Sequence, residues 1–116
     1  MIKGIGIDIV DNRRIRVARN KWGDNFLRKF LSKEEIKTYD TNLEHLCGAI
    51  ALKEAAIKAF SGLITKPLNF GDVAVNKKND KIPTVALIGK KMSNIGICAS
   101  ISHDGNFTVA IVVCEK

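Results

Sequence analysis

The chain is short of most residues that would commit it to a disulfide scaffold, a zinc ribbon or a fibrous design. Two prolines, one tryptophan and one tyrosine stand among 116 residues. The three cysteines, Cys47, Cys98 and Cys114, are odd in number and widely spaced, and no Cys-x-x-Cys occurs. That pattern suggests neither zinc nor a redox pair, and it fits free thiols in a reducing cytoplasm. No apolar run is long enough to span a bilayer. Lys3 and Asp8 stand too close together to flank the apolar stretch of a signal peptide. A P-loop, a Gly-x-Gly-x-x-Gly turn opening a helix and a Gly-x-Ser-x-Gly elbow are all missing, as are internal repeats and low-complexity linkers. Acidic residues are scarce: 12 Asp+Glu against 19 Lys+Arg leave a formal charge of +7. Such an excess favours an anionic partner: nucleic acid, an acidic protein, a phosphorylated ligand or a membrane surface.

What is present is a core. The chain is 46% hydrophobic, and its length predicts one domain, residues 1–116. Ile2 to Val10 alternates and is β-branched, so it reads as a strand with Ile5, Ile7 and Ile9 on one face and Gly4, Gly6 and Asp8 on the other. Glycines inside a strand mark close approach of a helix or ligand. Asp11 or Asn12 caps a helix ending near Trp22, with Gly23 as its stop. Ser32 and Glu35 form a capping box for a short helix to about Asp40. Asn42 opens a long helix through Phe60, with Gly62 ending it and Pro67 preventing its continuation. The remainder is β. Asp72–Asn76 and Ile82–Leu87 flank the turn-rich stretch 77–80. Ile97–His103 and Phe107–Val113 flank Asp104-Gly105-Asn106. Strands and helices are segregated, which predicts an α+β fold, a mainly antiparallel sheet packed against a long central helix.

Charged residues sit in unusual places. The stretch from Leu46 to Phe60 is small and apolar almost all round, yet it carries Lys53, Glu54 and Lys58. A buried carboxylate is costly unless a cation or metal meets it. Glu54 and Lys58 are four apart and form an ordinary helix pair in one reading. In another, Glu54 joins Asp8 to hold a hard divalent cation, magnesium or manganese, which needs few protein carboxylates. Asp8 alone also suits a capping or arginine-pairing role. The run Arg13, Arg14, Arg16, Arg19, Lys21, Arg28 and Lys29 is opposed only by Asp24; it is either a solvated face or a surface for an acidic partner. Trp22, Phe26 and Phe30 between these charges read as core, and no familiar nucleic-acid motif accompanies them. His103 ends a strand on the face of Ile97, Ala99 and Ile101, where it is expected to be half-buried and to need a partner such as a phosphate oxygen.

Three motifs in order carry a resemblance: Gly6-Ile7-Asp8-Ile9-Val10, Lys53-Glu54-Ala55-Ala56-Ile57-Lys58-Ala59 and Ser100-Ile101-Ser102-His103. With Lys81-Ile82-Pro83-Thr84-Val85 between them, they resemble the short, bacterial-type 4′-phosphopantetheinyl transferases, the holo-acyl-carrier-protein synthase family, over essentially the whole chain. The resemblance implies transfer of 4′-phosphopantetheine from coenzyme A to a serine of apo-acyl carrier protein, the carrier of fatty acid biosynthesis, with adenosine 3′,5′-bisphosphate released. It implies magnesium held by Asp8 and Glu54, Lys58 against the phosphates, and Gly62, Pro83, Ser102 and His103 around coenzyme A. Glu54 and a metal-bound water both fit as acceptor of the serine proton, with Glu54 favoured. The carrier protein is expected to dock on Arg13, Arg14, Arg16, Phe26 and Arg28, Arg14 first among them. A trimer with coenzyme A between subunits, in the cytoplasm and without membrane or nucleic acid, completes the expectation.

The chain departs from the family pattern at Ala49 and Ile50, where the family usually has arginine and an aromatic, and at Asp40-Thr41-Asn42, where many members are basic. A weaker or rearranged nucleotide site follows, with Lys66 or the lysines of 77–81 as substitutes. Two rivals remain at this level: an inactive homologue that only binds the carrier, and a basic module that binds an acidic protein or nucleic acid.

Overall fold

Three of the helices begin at a side-chain cap that the sequence announces. In the computed structural model, which describes residues 1–78, 82–89 and 94–116 (of residues 77, 78 and 82 only the backbone), strand β1 (Ile2–Asp11) runs into helix α1 (Asn12–Trp22). Asp11 accepts the Arg13 N–H as its N-cap. Gly23, at φ +57°, closes α1, and the short helix α2 (Asp24–Leu27) follows without any sequence signal of its own. The Ser32–Glu35 capping box starts α3 (Lys33–Tyr39), and Asn42 caps α4 (Leu43–Phe60) by accepting the His45 N–H. Gly62 does not provide the expected stop. α4 ends at Phe60, and Leu63 and Ile64 donate back to the Phe60 carbonyl. That turn needs no left-handed residue, and the only positive-φ glycines described are Gly23, Gly89 and Gly105.

The β elements pair as hairpins. β2 (Val73–Lys78) and β3 (Ile82–Leu87) form a two-stranded antiparallel sheet, preceded by a 3₁₀ turn at Phe70–Asp72; its connection, residues 79–81, lies outside the described residues. β4 (Gly96–Asp104) and β5 (Phe107–Glu115) join at Gly105-Asn106, and β5 is the centre of a three-stranded sheet in the order β1-β5-β4. Its register sorts the side chains cleanly. One face carries Ile5–Val113–Cys98, Ile7–Ile111–Ser100 and Ile9–Val109–Ser102. The other carries Gly6–Val112–Ala99, Asp8–Ala110–Ile101 and Val10–Thr108–His103.

Helix α4 lies on the second face, and the glycines of β1 set how closely. A Cβ at Gly4 would stand 2.0 Å from the Ala59 carbonyl oxygen, and one at Gly6 1.8 Å from that of Ala55. Strand and helix backbones are thus in contact, and two strand residues keep step with one helical turn. The helix also packs on β2, which leaves Leu46–Lys53, Ala55, Ala56, Ala59 and Phe60 buried. The first sheet face is bare by contrast, with Ile5, Ile7 and Ile9 57%, 58% and 63% exposed. Gly6→Ala is expected to force the helix off the strand and lower stability by about 3 kcal/mol, the upper range for overpacking, as read by chemical denaturation. A loss below 0.5 kcal/mol would show that the contact is slack.

Candidate active site

The glycine contacts bring two carboxylates together. With Gly4 against Ala59 and Gly6 against Ala55, the next residue on that face, Asp8, meets the next turn of α4, where Glu54 stands. Lys58 does not pair with Glu54 as the helix spacing suggested. Its Nζ donates to Asp8 Oδ1 at 3.0 Å and to the Ile7 carbonyl at 3.0 Å. Asp8 Oδ2 is buried and has no hydrogen-bond partner. Burial, a hydrogen bond to Asp8 and repulsion from its charge push the Glu54 acid up to about 7, against partial relief from Lys58. An orphaned buried carboxylate oxygen beside a second carboxylate is a donor set that a hard dication fits. Among the described residues no group of three or more His, Cys, Asp or Glu gathers to hold a metal ion, so coordination beyond this pair would be left to water and substrate.

A consequence follows for the protein without a cation. Glu54 holds its proton more tightly in the folded chain, near 7, than its ordinary 4.5, so the folded state binds the extra proton between those values. Stability is therefore fully supported below about pH 4.5 and lost as pH rises towards about 7. Denaturation midpoints in chelator are expected to fall between about pH 5 and about pH 7, and Glu54→Gln to flatten that slope. A slope unchanged in Glu54→Gln would assign it elsewhere.

Above the pair runs a groove of about 370 Å³ lined by Ile9, Arg14, Ile15, Phe26, Phe30 and Glu54 among others. Arg14 and Phe26 thus line the approach to Glu54. Arg13 is committed instead to Asp11, through two bonds of 3.0 and 2.9 Å, and to the Phe107 ring at 5.8 Å. Arg19 pairs with Asp40 at 2.8 Å. Arg16 is exposed on α1, and Arg28 lines a different pocket between α2, α3 and β2.

His103 belongs to another cluster. It lies on β4, across β5 from β1, in a cleft of about 470 Å³ with Tyr39, Glu44, His45, Gly48 and Pro83. It is exposed rather than half-buried, and its partner comes from its own sheet: Nδ1 lies 2.8 Å from Thr108 Oγ1, which donates to Asn12 Oδ1 at 2.8 Å. Thr108 and Asn12 are buried. Since Thr108 spends its proton on Asn12, His103 Nδ1–H is the donor to Thr108, and Nε2 of the neutral ring is an acceptor. A phosphate at Nε2 would require the doubly protonated ring. Ser102 is on the opposite sheet face beside Val109 and Ile9. Gly62 follows α4, within reach of the Lys3 carbonyl. One chain therefore unites Asp8, Glu54 and Lys58, and separately Pro83 and His103, but not the two groups. The Thr108–Asn12 relay carried no signal in sequence, because it depends on strand register. His45 could have been found from its place three residues after the Asn42 cap. Lys66 does not line the cleft; residues 79–81 and the side chains of Lys77 and Lys78 lie outside the described residues.

The chain belongs to the 4′-phosphopantetheinyl transferase superfamily, which residues 4–112 match. Within it, the similarity is to holo-acyl-carrier-protein synthases. The Campylobacter lari enzyme of that name is 39% identical over 115 residues, 97% of this chain and 98% of that protein. The crystal structure of the Helicobacter pylori enzyme in complex with coenzyme A superposes with a TM-score of 0.82 at 39% identity, over 96% of this chain and 99% of that one. The Neisseria meningitidis enzyme gives 0.82 at 27% identity over the full length of both chains.

Proposed function

We propose that this chain, one transferase domain over residues 1–116, moves 4′-phosphopantetheine from coenzyme A to a serine of apo-acyl carrier protein. The observation that carries the site assignment is the orphaned Asp8 Oδ2 beside a Glu54 acid raised to about 7. The serine oxygen attacks the phosphorus that bears the pantetheine arm, the bridging P–O bond breaks, and adenosine 3′,5′-bisphosphate leaves. Magnesium held by Asp8 and Glu54 would supply positive charge against the pyrophosphate oxygens. Lys58, more than half exposed at its side chain, adds a point charge to the same oxygens. Glu54, the second carboxylate of the pair, takes the serine proton as general base. Positioning and charge neutralisation are most of what phosphoryl transfer asks of a protein.

Arg14 and Phe26, lining the groove above Glu54, are the foremost candidates to dock the carrier, with Arg16 and Arg28 at greater distance and Arg13 already paired. Opposite fields of this kind chiefly raise the encounter rate. The bare Ile5, Ile7, Ile9 and Ile111 face supports self-association as a trimer, since apolar patches of this extent mark interfaces. The separation of His103 from Glu54 supports coenzyme A lying between subunits. Free Cys47, Cys98 and Cys114 favour the cytoplasm, and among the described residues no helix is long and apolar enough to cross a membrane. Intact-mass analysis of apo-carrier incubated with coenzyme A, magnesium and this protein tests the reading. A phosphopantetheine increment that vanishes in chelator supports it, and no increment from folded protein rejects it.

A further inference from the structure

The cleft at the start of α4 contains a histidine that the three family motifs do not include. His45 stands in the first turn of that helix, exposed, on the same cleft as His103, Gly48 and Pro83. Its ring is oriented by the cap. Asn42 Oδ1 accepts the His45 backbone N–H at 2.8 Å, so the amide atom 3.2 Å from His45 Nδ1 is Nδ2. An amide nitrogen only donates, so Nδ1 must accept; Thr41 Oγ1 lies 3.2 Å from the same nitrogen. The neutral ring therefore carries its proton on Nε2, where no acceptor among the described residues takes it. His103 is held the opposite way, with Nδ1–H spent on Thr108 and Nε2 left to accept.

The rest of the cleft sharpens the contrast. Its described lining residues include neither lysine nor arginine, and one carboxylate, Glu44. Asp40, just ahead of the helix, is neutralised by Arg19 at 2.8 Å. Position 49, the family's arginine position, holds a buried alanine. An anionic ligand entering here meets one side-chain N–H that is both free and fixed in direction.

We propose that His45 donates Nε2–H to a phosphoryl oxygen at the nucleotide end of coenzyme A, and so stands in for the basic residues missing at Ala49 and Asp40-Thr41-Asn42. The inference rests on the transferase reading above and names a residue that sets coenzyme A affinity in this chain. Because the donor is held in both free and bound states, its loss weakens binding and leaves the chemical step alone.

The test is His45→Ala, measured at saturating carrier and, separately, by calorimetry without carrier. The KM and Kd for coenzyme A are each expected to rise about tenfold, the weight of one hydrogen bond to a charged group, with kcat within about twofold. His45→Arg restores both and His45→Phe restores neither, which a purely structural role at the cap would not produce. Adenosine 3′,5′-bisphosphate binding falls with coenzyme A binding, whereas 4′-phosphopantetheine binding does not. Unchanged KM and Kd in His45→Ala overturn the inference while wild-type turnover still stands for the transferase; absence of wild-type turnover rejects the reading beneath it.

Discussion

Glu54→Ala is expected to lower transfer of phosphopantetheine about a thousandfold or more while leaving the protein at least as stable as the wild type at neutral pH. The two effects come from one geometry. Glu54 is half of the carboxylate pair, and Asp8 alone is already tied through Oδ1 to Lys58 at 3.0 Å. On the proposed mechanism, removing Glu54 takes away the second oxygen ligand and the proton acceptor together, and each such loss typically costs 10²–10⁴ in rate. Yet a half-buried carboxyl whose acid value is driven up to about 7 by burial and by Asp8 is strained in the chelated protein. Its removal relieves that burial and repulsion at the loss of one hydrogen bond, to Asp8. Intact mass of the carrier reads the first effect and a denaturation curve in chelator the second. An inactive mutant that has also unfolded would leave activity uninformative, so the prediction is of opposite signs. A module that merely binds acidic partners would keep its binding in Glu54→Ala, and retained transfer would move the chemistry away from this pair.

The elements were legible wherever a local rule decides them. Asp11, Ser32 and Asn42 are caps because each short oxygen-bearing side chain precedes an apolar period, and all three act as caps in the fold. Gly4 and Gly6 announced a close approach, which is that of α4. What sequence does not carry is register and neighbourhood. That His103 meets Thr108 follows only once β4 and β5 are aligned, and the two residues are joined through a two-residue turn whose length fixes that alignment. Ile5, Ile7 and Ile9 form one face as alternation requires, but alternation does not say which face α4 covers. The glycines decide it, because a side chain at either position would keep the helix away, and the isoleucines are left outside. For the site the same division holds. Asp8 and Glu54 drew attention as carboxylates in apolar surroundings. Helix spacing offers Lys58 only Glu54 because it sees only its own helix, whereas the partner Lys58 takes, Asp8, arrives from a strand. Short helix α2 and the Lys53–Glu35 contact were invisible for a related reason: four residues carry no period, and residues eighteen apart share no local rule.

Lys53→Ala is expected to lower stability by about 3–5 kcal/mol, the cost of leaving a buried charge without its partner. Lys53 belongs to the Lys-Glu-Ala run of α4, yet its side chain is 2% exposed and turns away from Glu54 chemistry. Nζ lies 2.6 Å from Glu35 Oε1 and 3.2 Å from the Phe70 carbonyl. Glu35 in turn accepts the Ser32 N–H at 2.8 Å and the Val75 N–H at 2.9 Å. One ion pair thereby ties the cap of α3, the middle of α4 and strand β2. Burial alone would raise the Glu35 acid, but Lys53 and the two backbone donors outweigh it and hold the value below the ordinary 4.5. The wild-type contribution is therefore present above about pH 4.5 and lost as pH falls through the lowered value. In Lys53→Ala the same carboxyl is buried without its cation, so protonation relieves it. The stability gap between wild type and mutant should shrink as pH drops below about 4.5. The double replacement Lys53→Met with Glu35→Gln removes both charges and should cost less than Lys53→Ala alone, a coupling that a double-mutant cycle reads directly. Transfer per folded molecule is expected to survive in both variants, because neither touches Asp8, Glu54 or Lys58. A Lys53→Ala protein that is stable but inactive would instead put this lysine among the residues that meet the substrate.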